Sequence, residues 1–199
     1  MKIALFGTSA DPPTMGHQAI LSWLCGEFDW VAVWAADNPM KLQQQTPLNH
    51  RAAMLQLVVA EIQQTDANIG VYPELSSPYT IETVNRARQL WPDAVLTLVI
   101  GADLVGQIHR WYRAAELLCQ VPLLVVPRMV RSGHRSGYVA DARDWERLQQ
   151  MGARVRLAEF VPPATSSTAY RQGEDKDGDI VPPVVKEYIQ RQNLFSVGS

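Results

Sequence analysis

The stretch MKIALFGTSADPPTMGH, residues 1–17, decides how the whole chain is read. Residues 2–6 make a short apolar strand, residues 7–14 a Gly/Asp/Pro loop, and Met15-Gly16-His17 the entrance to a helix. A strand that feeds a loop opening on a helix N-terminus presents backbone N–H groups and the positive end of a helix dipole, which together favour a phosphate. His17 stands at that point, three residues after Thr14, so an imidazole and a hydroxyl can face one phosphate. Gly7 lets the backbone come close to a ligand, and Asp11-Pro12-Pro13 stiffens the turn.

Outward from this start, apolar runs suited to strands recur at residues 30–35, 69–73, 95–100, 121–126 and 155–160. Most are continuous rather than alternating, which means burial on both faces, as in a parallel sheet. Helical patterns separate them at 16–25, 48–63, 80–90, 104–120 with a break near Trp111, and 144–151. This alternation predicts an α/β fold: a Rossmann-like, doubly wound parallel sheet with helices on both faces and right-handed crossovers. Residues 1–199 read as a single domain, on which the helical segment 166–195 packs.

In such a sheet, ligands sit outside the carboxyl ends of the strands, where the strand order reverses. The loops at 7–14, 36–47, 74–79, 101–103 and 127–143, with 161–168 after the last strand, are therefore expected to carry the chemistry. Of these, 38–46 and 127–143 read as solvated loops, the second rich in arginine.

Composition narrows the partners. Of 199 residues, 47% are hydrophobic and 19% charged, enough for one sizeable core and too apolar for disorder. A net charge of -2 gives no positive field for a polyanion, so neither nucleic acid nor an acidic membrane is an expected partner. A small phosphate ligand needs only local charge. The apolar run at 2–6 is too short for a signal peptide, and no stretch reaches the ~18 apolar residues of a membrane span. Cys25 and Cys119 lie far apart without metal-like spacing and read as buried free thiols, in keeping with a cytoplasmic location. Self-association is left open.

Three further groups of residues could carry chemistry. Ser166-Ser167-Thr168 supplies hydroxyls and N–H groups at a new helix start, and Arg171 adds a fork for a phosphate, which makes a second anion site. Gly101-Ala102-Asp103 ends a buried strand, where a ribose or base could approach and Asp103 could accept hydroxyl protons. Tyr79, Trp111 and Tyr112 offer flat faces for a ring. Neither G-x-G-x-x-G nor G-x-x-x-x-G-K-[ST] occurs at the opening loop, which disfavours an NAD oxidoreductase and a kinase or ATPase.

Taken together, Gly7, Asp11, Thr14, Gly16 and His17 resemble the (H/T)-x-G-H signature of the nucleotidylyltransferase superfamily. The remaining motifs are similar, in order, to those of the bacterial nicotinate-nucleotide adenylyltransferases. Asn38-Pro39-Met40-Lys41 resembles the family's P-x-K loop, and Arg51 through Leu55 its R-x-x-M-L helix start. Residues 77–84 are similar to S-Y-T-I-x-T-L, and Gly101-Ala102-Asp103 followed by Trp111 to its G-A-D…W block. Thr165 through Arg171 resembles I-S-S-T-x-x-R, and residues 181–189 the closing V-P-x-x-V-x-x-Y-I helix.

The resemblance implies adenylyl transfer from ATP to nicotinate mononucleotide, giving deamido-NAD and pyrophosphate, with His17, Thr14, Lys41 and Arg171 as catalytic residues. It places ATP against Gly7, Thr8, Ser9, Gly16, His17, Gly101, Asp103, Ser166, Ser167, Thr168 and Arg171. It places nicotinate mononucleotide against Lys41, Tyr79, Thr80, Trp111 and Tyr112. Mg²⁺ is expected to arrive with ATP, without metal ligands from the chain itself. The family usually reads G-G-T-F-D-P-x-H-x-G-H, whereas Thr8, Ser9, Ala10 and Thr14 depart from it, and Thr14 is the residue phosphopantetheine adenylyltransferases use. The alternatives are therefore a nicotinamide-mononucleotide or phosphopantetheine adenylyltransferase, or a nucleotide-binding regulatory protein with impaired catalysis.

Overall fold

Six strands form one fully parallel sheet in a computed structural model that describes residues 1–37, 46–129, 137–138, 141–175 and 177–195. In chain order the elements are β1 (Lys2–Thr8), α1 (Met15–Glu27), β2 (Trp30–Ala35), α2 (Leu48–Ile62), β3 (Ile69–Val71), α3 (Thr80–Leu90) and β4 (Val95–Gly101). They continue with α4 (Ala114–Gln120), β5 (Leu123–Val126), β6 (Arg128–Met129), β7 (Gly137–Tyr138), α5 (Ala142–Gln150), β8 (Val155–Leu157), α6 (Ser167–Arg171) and α7 (Pro183–Arg191). The sheet order is β3-β2-β1-β4-β5-β8, and β6 and β7 form a separate antiparallel pair.

The apolar runs of β1, β2, β4 and β5 are continuous because each of these strands has a core on both sides. Ala4 and Phe6 of β1, Val31, Val33 and Ala35 of β2, Val99 of β4 and Leu124 and Val126 of β5 face one core. That core is closed by Leu21 and Leu24 of α1, Met54, Leu55 and Val58 of α2, and Val185 and Ile189 of α7. The alternate positions Ile3, Leu5, Trp34, Leu98, Ile100 and Val125 face the other core, with Ile81, Val84 and Ala87 of α3 and Leu117 and Leu118 of α4. The closing helix of the segment 166–195 thus lies in the same core as α1 and α2.

From β1 the chain runs outward to β2 and β3, then returns to β1's other edge to build β4, β5 and β8. The loops after β1 and β4 therefore lie side by side where the order reverses, which is where this fold receives ligands.

Three expectations change. The helical pattern anticipated over 104–120 does break at Trp111–Arg113, but before the break it is two 3-10 turns, Ala102–Leu104 and Ile108–Arg110, and only α4 after it is α-helical. Gly106 lies between the turns, and Arg113, at φ 54, turns the chain through the left-handed region before α4 begins. The stretch 127–143, read as a loop, contains the β6–β7 pair and the start of α5. Finally, Cys25 is buried as anticipated, and burial pushes its thiol up to about 11, but Cys119 sits on the exposed side of the short α4.

Candidate active site

The loop after β1 is held from behind by Arg51, 3% exposed on α2. Its guanidinium donates to three backbone carbonyls at once: Nε to Thr46 at 2.8 Å, and Nη1 to Ser9 at 2.9 Å and to Ala36 at 2.7 Å. Three chain segments are thereby fixed to one charged fork, whose geometry only arginine supplies. Burial lowers the Arg51 pKa, and the carboxylates of Asp11 and Asp37 oppose that. Thr8 accepts the Ala10 N–H through its hydroxyl at 3.4 Å, and Ala10, 1% exposed, takes φ 48. Gly7 leaves room for an indole: a Cβ there would stand 2.6 Å from the Trp34 ring.

The N-terminus of α1 is less open than its sequence suggests. The Met15 N–H donates to the Ile180 carbonyl at 2.9 Å, and the Gly16 N–H to the Thr165 hydroxyl at 2.9 Å. A Cβ on Gly16 would lie 2.7 Å from Thr165 Oγ1 and 3.2 Å from the Pro163 carbonyl, so glycine is what lets that segment dock. What this end offers to a ligand is consequently the side chain of His17 rather than those two amides.

His17 Nδ1 accepts the Thr14 N–H at 3.0 Å and lies 2.8 Å from Thr14 Oγ1. A nitrogen that accepts an N–H carries no proton, so the neutral ring bears its proton on Nε2, the atom turned away from the helix cap. Burial, reinforced by the Arg128 guanidinium, lowers the His17 pKa to about 4. Near neutral pH the ring is an uncharged N–H donor. Thr14, expected to reach a phosphate oxygen itself, is 1% exposed with both its N–H and its hydroxyl engaged at His17.

The segment expected to form a second anion site is tied to the opening loop. Arg171 Nη1 donates to the Asp11 carbonyl and lies 3.7 Å from Asp11 Oδ2, and its Nη2 meets Thr168 Oγ1 at 3.3 Å. Ser167 Oγ donates to the Pro12 carbonyl at 2.8 Å, and Ser166 Oγ accepts the Ala169 N–H at 3.4 Å as the α6 cap. Asp11, 3% exposed, accepts the Thr46 N–H at 3.2 Å, and among the described residues its Oδ2 has no hydrogen-bond partner. His17 and Arg171 thus sit on opposite ends of one short loop, residues 11–14, each anchored to it.

At the end of β4, Asp103 pairs with Arg128 at 2.6 Å, and a Cβ on Gly101 would lie 2.5 Å from Asp103 Oδ1. Both partners are half-exposed, so the pair is weak and open to exchange for a ligand. Farther along, the rings of Tyr79 and Tyr112 lie 4.6 Å apart and are exposed, 44% and 54%, while Trp111 is half-buried against the α3–α4 core. Thr80 is half-buried at the first position of α3. Lys41 lies outside the described residues, as do residues 38–40.

Sequence reasoning left four participants unassigned: Arg51, Asp11 as the partner of Arg171, Thr165 and Arg128. Arg51 had a signal, since it falls on the same helical face as Met54, Leu55 and Val58, where a charged residue is out of place unless paired. The others depend on contacts across up to 160 residues, which no local pattern displays.

Residues 5–173 match the family described as cytidylyltransferase-like. A protein of Synechocystis named "Probable nicotinate-nucleotide adenylyltransferase" is 42% identical over 98% of this chain and 99% of its own length. One of the same name from Prosthecochloris aestuarii is 31% identical over 98% of each. Among solved structures, the nicotinic acid mononucleotide adenylyltransferase of Plasmodium falciparum complexed with NaAD superposes with a TM-score of 0.78. It is 19% identical and covers 99% of this chain and 98% of its own.

Proposed function

The chain belongs to the cytidylyltransferase-like family and within it to the nicotinate-nucleotide adenylyltransferases, and we propose that it transfers the adenylyl group of ATP to nicotinate mononucleotide, a step of NAD biosynthesis. The observation that carries this reading is the convergence of His17 and Arg171 on residues 11–14, beside Asp103 at the point where the sheet order reverses.

In the reaction, an oxygen of the mononucleotide 5′-phosphate forms a bond to the α-phosphorus of ATP. The bond from that phosphorus to the bridging oxygen breaks, and pyrophosphate leaves. No side chain need become covalently attached, so the protein's work is positioning and stabilisation of charge. His17 donates from Nε2 to a phosphate oxygen without contributing or removing a proton, since its pKa of about 4 keeps it neutral throughout. Arg171 adds fixed positive charge, its Nη1 already held by the Asp11 carbonyl. Thr14 acts on the phosphate through His17, whose acceptor nitrogen it holds. Lys41 is assigned to the phosphates of both substrates on family likeness alone.

Asp103 is assigned to the ribose hydroxyls, which it would take on giving up the half-exposed Arg128. The Tyr79–Tyr112 pair, with the neighbouring Thr80 and Trp111, is assigned to the pyridine ring. Among the described residues no group of three or more His, Cys, Asp and Glu side chains is placed to hold a metal ion. Mg²⁺ would arrive with ATP and offset phosphate charge there. The location is proposed to be cytoplasmic, the expected site of this biosynthetic step; no described helix is long and apolar enough to cross a membrane.

The test is to incubate the purified protein with ATP, Mg²⁺ and either nicotinate or nicotinamide mononucleotide and to follow pyrophosphate release. Faster release with the acid is expected. No release with either would overturn the reading, and binding of ATP without turnover would favour the regulatory alternative. His17→Ala is expected to lose roughly 100-fold or more in kcat while keeping its fold.

A further inference from the structure

One hydroxyl at the active-site wall has no part in the scheme above. Thr165 precedes the α6 cap, 151 residues after Thr14, and its Oγ1 lies 3.1 Å from Thr14 Oγ1. It also accepts the Gly16 N–H at 2.9 Å. In the motif that this region resembles, the position is occupied by isoleucine, which could make neither bond.

The direction of each proton in this cluster follows from its neighbours. The Gly16 N–H can only donate, so it fills one lone pair of Thr165 Oγ1. The Thr165 proton then goes to Thr14 Oγ1, 3.1 Å away. Thr14, with an acceptor site filled, sends its own proton to the atom 2.8 Å away, His17 Nδ1. Nδ1 also receives the Thr14 N–H at 3.0 Å, so the two donors share its single lone pair and every donor in the series points the same way. Were the ring to carry its proton on Nδ1, that proton would meet the Thr14 N–H head-on, and the Thr14 hydroxyl would lose its acceptor.

We propose that Thr165 is a positioning residue, which, fed by the Gly16 N–H, sets the direction of the Thr14 hydroxyl and so gives His17 Nδ1 a second donor beside the Thr14 N–H, strengthening the hold on the tautomer with its proton on Nε2. The second segment thereby reinforces what the first one presents to the transferring phosphate. Gly16 belongs to the same device, because any side chain there would push the Thr165 hydroxyl off the helix end. The proposal rests on the reading of His17 as the phosphate donor for its effect on turnover, and on geometry alone for the tautomer.

The experiment compares wild type with Thr165→Val, which keeps the shape and removes the hydroxyl, and with Thr165→Ser, which restores it. Nitrogen NMR of [15N]histidine-labelled protein reports the tautomer, and His17→Asn identifies the resonances. In wild type, His17 Nδ1 should resonate as a bare acceptor and Nε2 as a protonated nitrogen. In Thr165→Val the two shifts should move toward each other, and kcat should fall about five- to tenfold, with the KM for ATP changed less than about twofold. Thr165→Ser should return both readouts to wild type. Thr165→Ala reads the same shifts should the valine variant not fold. Wild-type nitrogen shifts in the hydroxyl-less variant overturn the proposal, whatever becomes of its turnover. If the wild-type protein releases no pyrophosphate, the adenylyl-transfer reading falls, and the nitrogen shifts still decide the relay.

Discussion

Acidification should unfold this protein partly through a single imidazole. His17 titrates at about 4 in the folded chain against 6.5 ordinarily, because burial and the Arg128 charge disfavour its cation. The unfolded chain therefore takes up a proton that the folded chain refuses. Above pH 6.5 both states hold a neutral ring and nothing is lost. As pH falls from 6.5 toward 4, the unfolded state gains, and below about 4 both are charged and the loss levels off. At about 1.4 kcal/mol per pH unit the full effect is about 3 kcal/mol, reduced to about 2 by solvent on the open side of this half-buried ring.

The assay is urea unfolding of wild type and His17→Asn at intervals across this window, using the difference between the two so that the carboxylates cancel. Asparagine can still accept the Thr14 N–H but cannot titrate. The gap in stability should change by about 2 kcal/mol, with wild type losing more as pH drops. If the two proteins lose stability in parallel, within about 0.5 kcal/mol, then His17 is not held neutral and the donor role assigned to it fails.

Other substitutions probe the supports of the site. Arg51→Met should cost about 3–5 kcal/mol in denaturant unfolding, because three carbonyls and two nearby carboxylates lose one buried cation; a cost below about 1 kcal/mol would show that water replaces it. Gly7→Ala should cost about 1–3 kcal/mol, since the new methyl would overlap the Trp34 ring; an unchanged midpoint would mean the indole moves freely. Asp103→Asn should leave stability within about 0.5 kcal/mol, its pair with Arg128 being half-exposed, yet raise the KM for ATP about tenfold. An unaltered KM would remove Asp103 from the ribose.

The fold was legible because every central strand is apolar at successive positions, and only a sheet with two cores can bury Ile3 and Leu5 on one side and Ala4 and Phe6 on the other. The reversal of strand order could not be read directly, yet the loop after β1 was already marked by Gly7 and His17. The first half of the stretch 104–120 misled because its apolar spacing is met equally by 3-10 turns that bury Val105 and Ile108. The site was legible as residue types and not as roles. Thr14 and Gly16 fit a phosphate cradle by local rules, whereas the structure turns both toward Thr165 and His17. A hydrogen bond spanning 151 residues leaves no trace in spacing.

The closing of α1's first N–H by Ile180 has a temporal meaning. During synthesis, β1, α1 and β2 emerge early and can pair locally, but the helix end that bears His17 lacks its partners until residues 163–180 have left the ribosome. The helix end that bears His17 is thus completed late, well after β1 and α1 themselves are made. A chain ending before Thr165 would lack the acceptors of the Met15 and Gly16 N–H groups and the part of the first core that Val185 and Ile189 supply, so it would hold no ordered phosphate site.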